Sequence, residues 1–412
     1  MKYKSDFLNE IYLRGFIYQS SDIEELDSEM FKKKITAYIG FDITSDSLHV
    51  GSLVQLMLLN WLDHYGHKPI ALMGGGTTLI GDPSGKDESR KILNEEDIEE
   101  NINKIENTFK KFIDLDKNGK IINNYNWLSN LNYIEFLRDI GSKMTINKMM
   151  TFESVKNRLL REQPLSFLEF NYMLIQAYDF LHLNKKYDCI LQMGGSDQWG
   201  NIISGIELIR KKNKNKAFAI TSPLITNSDG SKMGKTVNGA IWLDEKKLSN
   251  FDFFQFWRNI DDENVIKFLN LFTKISLDEI SKLSKLKGEE INEAKKILAF
   301  EVTKLTRGEN QAKEAIDISN NVFSKNLSDN RLITEEVKIE KIINSSFTII
   351  DAIEILQLVQ SRSEIKRLIK ANGIKIDNEV YQNIDFSLSS YQNKKEIKIS
   401  IGKKKFGIIK IV

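Results

Sequence analysis

The chain has one cysteine, four prolines and four histidines in 412 residues, and no apolar run long enough to span a bilayer. Each shortage excludes something. A lone cysteine, Cys189, cannot close an intramolecular disulfide, which fits a reducing compartment. Cys189 and the four histidines (His49, His64, His67, His182) lack the spacing of a zinc cage, so no protein-bound metal is expected. Cys189 lies in the apolar run Cys189-Ile190-Leu191, where a buried structural thiol is the expectation. The first ten residues, Met1 to Glu10, form neither an apolar signal stretch nor an Arg-rich transit pattern. A cytoplasmic protein with no membrane partner is expected.

What is present suits a globular chain of two or three domains: 41% of the residues are apolar and 28% are charged. The formal charge of +2 conceals an uneven distribution. Residues 347–412 carry 12 Lys/Arg against 7 Asp/Glu, a net of +5, so the remainder carries −3. Such asymmetry points to a polyanionic partner for the basic tail.

All four prolines (Pro69, Pro83, Pro164, Pro223) fall in the first 223 residues, where short apolar strands alternate with helical stretches. Ile35 to Phe41 reads as a strand, followed by an amphipathic helix from about Val50 to His64. Ile70 to Gly74 and Cys189 to Gly195 read as further strands running into glycine turns. This repetition predicts an α/β fold with a doubly wound, parallel, Rossmann-like sheet. Ligands in such sheets bind beyond the carboxyl ends of the strands.

Two stretches there handle charge. Asp42-Ile43-Thr44-Ser45-Asp46-Ser47-Leu48-His49-Val50-Gly51-Ser52 joins the first strand to its helix, whose N-terminal N–H groups suit phosphate. Gly51 permits close approach of a nucleotide, and His49 can donate to phosphate oxygens. Downstream, Lys232-Met233-Gly234-Lys235-Thr236 is a compact cationic loop, suited to a pyrophosphate whose charge grows as it leaves. Taken singly, a His in a turn is more often structural, and a lysine pair is more often a solvated cluster.

Together these stretches resemble the two class I aminoacyl-tRNA synthetase motifs, His-Ile-Gly-His and Lys-Met-Ser-Lys-Ser. The finer resemblance is to the bacterial tyrosyl-tRNA synthetase family. It is carried by Tyr38-Ile39-Gly40-Phe41-Asp42, Gly81-Asp82-Pro83-Ser84-Gly85-Lys86, Gly194-Gly195-Ser196-Asp197-Gln198-Trp199-Gly200-Asn201 and the lysine loop, and it covers essentially the whole chain. Two positions depart from the pattern: Ser52 stands where His is frequent, and Ile43 where proline is usual. Ser52 can hydrogen-bond but bears no positive charge, so its catalytic contribution is expected to be small.

The resemblance implies an enzyme that activates L-tyrosine with ATP, accompanied by Mg²⁺, and passes tyrosine to tRNA(Tyr). By resemblance Tyr38 and Asp179 read the tyrosine hydroxyl. A site built to hydrogen-bond a hydroxyl rejects the analogue lacking it, a rule for which this family's enzymes are themselves the standard case. Spacings of four and three put Tyr172, Gln176 and Asp179 on one helical face, and their apolar neighbours argue that the face is buried. The family implies that Tyr172, Gln176 and Asp82 hold the substrate ammonium, with Gln192 nearby, and that Gln198 sits at the carboxylate and α-phosphate. Asp42, His49, Gly51, Asp197 and Lys235 are implied on ATP, Asp197 at the ribose. Thr44, His49, Lys86, Arg90, Lys232, Lys235 and Thr236 are implied as the groups that stabilise the departing phosphates.

Four segments are expected: a catalytic domain over 1–245, a helical domain that recognises the anticodon stem over 246–323, a linker over 324–345, and an α+β RNA-binding domain over 346–412. In the last, a helix started by Ser361 or Ser363 and stopped by Gly373 precedes strands at Ile374–Ile376 and Ile397–Ile401. Arg362, Lys366, Arg367 and Lys370 form a basic stripe on it, either a solvated face or, as the resemblance implies, a tRNA contact. Asn123 to Met150 matches the family's homodimer-forming region, with an internal core as the alternative. Three other readings stay open: a tryptophan-specific relative, an RNA-binding protein without ligase activity, and a small-molecule nucleotidyltransferase.

Overall fold

The computed structural model describes residues 2–82, 93–226, 233–236, 239–323, 333–343, 347–359, 361–377, 379–381, 383, 387–402 and 405–412. The chain divides into two compact units, Met1–Glu309 and Asn310–Val412.

The first unit is organised by six strands: β1 (Gln19–Ser20), β2 (Thr36–Asp42), β3 (Lys68–Gly74), β4 (Lys120–Asn123), β5 (Cys189–Gly195) and β6 (Phe218–Ser222). Their order is β1-β6-β5-β2-β3-β4, parallel except where β1 runs against β6. β2, β3 and β5 are near-continuous apolar runs, as a sheet covered on both faces requires. The chain winds outward from β2 to β4, then returns to start the other half at β5, so β2 and β5 meet at the topological switch point. There the two strands pair only as far as Tyr38 opposite Gln192, whereas β2 pairs with β3 all the way to Asp42 opposite Gly74. The unpaired ends of β2 and β5 leave a crevice.

Three helices frame it. After a short 3₁₀ turn at Val50–Ser52, α1 (Leu53–His64) buries Leu53, Leu56, Leu59 and Leu62. α2 (Phe167–Tyr187) begins at a capping box in which Ser166 and Glu169 satisfy each other's backbone N–H groups. It ends at Asp188 in the left-handed conformation. α3 (Trp199–Asn213) lies so close to α2 that a Cβ on Gly205 would stand 2.9 Å from the Phe180 ring.

Most of the helices expected over 246–323 fall within the first compact unit. Helices Asn250–Arg258, Asp262–Phe272 and Ile291–Arg307 belong to the first unit. Buried Arg14 donates to the carbonyls of Asn270, Thr273 and Ile275, and buried Arg307 to those of Trp242 and Leu248. A guanidinium so enclosed needs several acceptors at once, and here they come from across the expected boundary.

In the second unit the sheet order is β11 (Glu379–Val380), β10 (Ile374–Ile376), β12 (Glu396–Ile401), β13 (Lys405–Ile411), β9 (Ile333–Val337). The segment expected as a linker therefore supplies an edge strand, β9, parallel to β13, and a helical turn at Ile339–Ile343. Its partner is the chain's last strand, so no local pattern announces it. Helix α4 (Arg362–Lys370) is capped by Ser361 accepting from Glu364 N–H and buries Ile365 and Ile369. Its stop is made by Asn372, which takes the left-handed conformation while Gly373 N–H bonds back to Leu368. Among the described residues no helix is long and apolar enough to cross a membrane.

Candidate active site

The crevice opens into a cavity of about 560 Å³ running from the middle of the sheet to the turn at His49. Tyr38, Asp42, Thr44, His49, Gly51, Asp82, Tyr172, Gln176, Asp179, Gln192, Asp197 and Gln198 all line it. Sequence positions far apart are thus gathered by the ends of β2 and β5 and by one face of α2.

The closed end is built around Asp179, which is 2% exposed. Its carboxylate accepts from Trp127 Nε1 at 2.8 Å and Asn124 Nδ2 at 2.9 Å. Asn124 Oδ1 takes the Gly76 N–H at 2.8 Å, which fixes the amide so that its NH₂ points at Asp179. His182 stacks on Trp127 with ring centroids 4.2 Å apart and holds the indole in place. Burial raises the Asp179 pKa to about 7 against the pull of these two donors. Tyr38 lies close enough for that carboxylate's charge, after burial itself, to push the phenol well above its ordinary value. The Tyr38 hydroxyl is buried without a partner among the described residues. An orphaned hydroxyl beside an acceptor is a complement to a ligand that can both accept and donate. The thiol of Cys189 is fully buried and burial pushes its pKa up, as a structural cysteine requires.

In the middle of the cavity the polar groups interlock. Tyr172 Oη donates to Asp42 Oδ1 at 3.0 Å, and Thr77 Oγ1 to the same oxygen at 3.3 Å. Gln198 Nε2 donates to Asp82 Oδ2 at 2.9 Å, and Asn201 Nδ2 reaches both Gln176 Oε1 and Gln198 Oε1. Gln192 Oε1 is buried without a partner among the described residues. Asp42, implied on ATP, is thereby joined to the side chain of Tyr172, beside the acidic and amide groups that suit an ammonium.

At the open end His49 Nδ1 accepts from Gly51 N–H at 3.0 Å, so the neutral ring carries its proton on Nε2. The second motif is tied to this turn by backbone: Ile241 N–H bonds to Gly234 O, Val50 N–H to Ile241 O, and Leu243 N–H to Leu48 O. Gly234 has φ +90°, and a Cβ on it would stand 2.8 Å from Val50 Cγ2. Only glycine fits that approach without strain. Lys235 and Thr236 start a two-strand hairpin, β7 (Lys235–Thr236) with β8 (Gly239–Ala240), and are described by backbone alone. Lys86, Arg90 and Lys232 lie outside the described residues. Among the described residues no group of three His, Cys, Asp or Glu is arranged to hold a metal ion.

Sequence reasoning missed Asn124 and Trp127, because the stretch from Asn123 to Met150 reads as a dimer face or an internal core, and neither reading singles them out. That stretch divides. Asn124 and Trp127 turn inward, while Tyr133, Ile134 and Ile146 are each at least 60% exposed. The mixture of polar and aromatic residues directly after β4 was the available signal. In the second unit Lys366, Arg367 and Lys370 are exposed, but Arg362 is engaged by Asp351 and Glu354 at 2.8 and 2.7 Å.

The family model for class I tRNA synthetases (W and Y) matches residues 30–324. A tyrosine–tRNA ligase of Pelagibacter ubique is 51% identical over 404 residues, covering 97% of this chain and 98% of its own. One from a Wolbachia of Drosophila simulans is 48% identical, each chain covered in full. The solved structure of a C-terminally truncated mitochondrial tyrosyl-tRNA synthetase of Aspergillus nidulans is similar with a TM-score of 0.70 and 29% identity, covering 77% of this chain and 94% of that one.

Proposed function

The chain belongs to the class I tRNA synthetases of the tryptophan and tyrosine group, and from that premise we infer that it activates L-tyrosine with ATP to tyrosyl-adenylate and transfers tyrosine to the 3′ end of tRNA(Tyr). One observation carries the choice of tyrosine: a buried Tyr38 hydroxyl, unpartnered among the described residues, beside an Asp179 carboxylate held by two N–H donors. The substrate phenol donates to Asp179 and accepts from Tyr38. Phenylalanine leaves the Tyr38 hydroxyl unpaired and gives Asp179 no further donor, and the indole of tryptophan offers one donor and no acceptor.

The ammonium sits among Tyr172, Gln176 and Asp82, with Gln192 behind it. Gln198 orients the carboxylate at the α-phosphate. The carboxylate attacks that phosphorus in line, its bond to the bridging oxygen breaks, and pyrophosphate leaves. Asp197 holds the ribose, Asp42 and Gly51 border the nucleotide, and Mg²⁺ enters as part of the ATP substrate. Thr44, His49, Lys86, Arg90, Lys232, Lys235 and Thr236 meet the charge that grows on the leaving phosphates. Positioning and electrostatics thus account for the rate enhancement, with no covalent enzyme intermediate. The terminal ribose hydroxyl of tRNA then attacks the mixed anhydride and releases AMP.

The exposed apolar side chains Tyr133, Ile134, Ile146 and Met150 support a homodimer built on that face. The basic face of α4, chiefly Lys366, Arg367 and Lys370, supports contact with the tRNA backbone, and the helices over 246–323 support contact with the anticodon stem. The cytoplasm is the compartment this activity serves. The test is amino-acid-dependent ATP–pyrophosphate exchange with tyrosine, phenylalanine and tryptophan. Exchange supported by tyrosine alone is the expected result; equal or greater exchange with tryptophan would reject the reading.

A further inference from the structure

Arg307, the last residue of the helix Ile291–Arg307, belongs to none of the sequence motifs, yet only one short strand separates it from the turn at His49. That strand is residues 241–243. Val50 N–H bonds to Ile241 O at 2.9 Å and Leu243 N–H to Leu48 O at 2.8 Å, which sets Trp242 opposite His49 in an antiparallel bridge. The central pair of such a bridge exchanges no hydrogen bonds, so the N–H and C=O of Trp242 point away from the turn. Arg307 takes that outer edge. Its Nη2 donates to Trp242 O at 2.9 Å, and its Nη1 to Leu248 O at 2.6 Å and Asn250 Oδ1 at 3.0 Å. The guanidinium carbon lies 4.3 Å from the centroid of the fully buried Phe253 ring.

All three of these acceptors are neutral. Arg307 is 6% exposed, and its Nε has no partner among the described residues. Burial lowers its pKa to about 10, so the group is still charged at neutral pH. A buried charge without a hydrogen-bonded carboxylate is a poor source of stability. What a guanidinium supplies, and an apolar side chain cannot, is a rigid fork of donors that fixes several segments at once. One of those segments is the strand against which the phosphate turn is laid. The same strand holds the lysine loop, because Ile241 N–H bonds to Gly234 O at 2.9 Å. Resting on the reading of this end as the nucleotide site, we propose that Arg307 is a positioning residue for adenylate formation. It clamps the outer edge of residues 241–243, so that the turn carrying His49 and the loop carrying Lys235 keep their spacing around the departing phosphates.

Single-turnover formation of tyrosyl-adenylate, read beside the dissociation constant for tyrosine, tests it in wild type, Arg307→Met and Arg307→Lys. Methionine keeps the stem over Phe253 and removes the fork; lysine keeps the charge and can reach one acceptor. Arg307→Met lowers the rate about 10- to 100-fold with tyrosine binding unchanged, the scale for misplacing reacting groups from a distance, and Arg307→Lys recovers part of it. On a His49→Ala background the Arg307→Met loss shrinks, because part of what the clamp positions is gone. A near-wild-type rate for Arg307→Met would overturn the proposal. So would an equal loss of tyrosine binding, or a loss undiminished on the His49→Ala background. Should Arg307→Met not fold, Asn250→Ala takes one acceptor from the fork. Its rate then falls about two- to fivefold with tyrosine binding intact, and an unchanged rate overturns the clamp. His49→Ala alone separates the levels: if it leaves the rate unchanged, the nucleotide reading fails, and if it is severe while Arg307→Met is silent, only the clamp does.

Discussion

The two ends of the cavity are made differently. At the closed end regular elements converge: β2 brings Tyr38, α2 brings Asp179, and the turn after β4 brings Asn124 and Trp127, and hydrogen bonds inside the core join the last three. At the open end the wall is built from turns, with His49, Gly51 and Gly234 stitched together mostly through backbone. Discrimination between similar amino acids needs fixed, desolvated partners. Handling ATP and its leaving pyrophosphate needs donors that can follow charge as it moves. The division of construction matches that division of labour.

The largest expected effect strikes the open end alone. His49→Ala and Lys235→Ala should each lower the rate of adenylate formation about 10²–10³-fold, the scale for removing one donor to developing charge, with tyrosine binding retained. Ser52→Ala should cost only a fewfold. Rapid-quench measurement of adenylate formation checks this, and a near-wild-type rate for Lys235→Ala would break the comparison.

A smaller effect belongs to the closed end. Trp127→Phe removes one N–H donor from the Asp179 carboxylate, so the pKa of about 7 moves higher. The KM for tyrosine should rise about tenfold at neutral pH and recover as pH is raised, with the KM for ATP unmoved. A pH-independent change would assign Trp127 to packing only. Asp179 also predicts a stability signature. Its folded pKa of about 7 lies above the ordinary carboxylate value, so the unfolded chain releases this proton first. Asp179 therefore costs the fold progressively more stability as pH rises from about 4 to 7, and a constant amount above that. Asp179→Asn should gain Tm relative to wild type across that window, and a Tm difference independent of pH would contradict it.

The smallest expected effect lies away from the cavity. Asn372→Ala, at the left-handed position closing α4, should destabilise the second unit by about 1 kcal/mol, read from denaturant unfolding, with amino-acid activation unchanged.

Much of this was legible in the sequence because it is local. β5 runs from Cys189 to Gly195 as its apolar pattern indicates, and the helical spacing of Tyr172, Gln176 and Asp179 is what brings them to one wall. What escaped was non-local. β9 pairs with the last strand of the chain, and Arg14 joins carbonyls at Asn270, Thr273 and Ile275, partners that no window of sequence contains. Trp127 and Asn124 escaped for a related reason. An aromatic residue beside apolar ones reads equally as core or interface until the carboxylate it serves is in place.

The central claim is that Tyr38 and Asp179 together read the hydroxyl of the substrate. The measurement that meets it most directly is the ratio of kcat/KM for tyrosine over phenylalanine in pyrophosphate exchange, for wild type and Tyr38→Phe. The account predicts that Tyr38→Phe lowers that ratio by about tenfold through the tyrosine value, with the phenylalanine value equal or improved. A ratio that stays at the wild-type level, or a parallel loss with both amino acids, would contradict it.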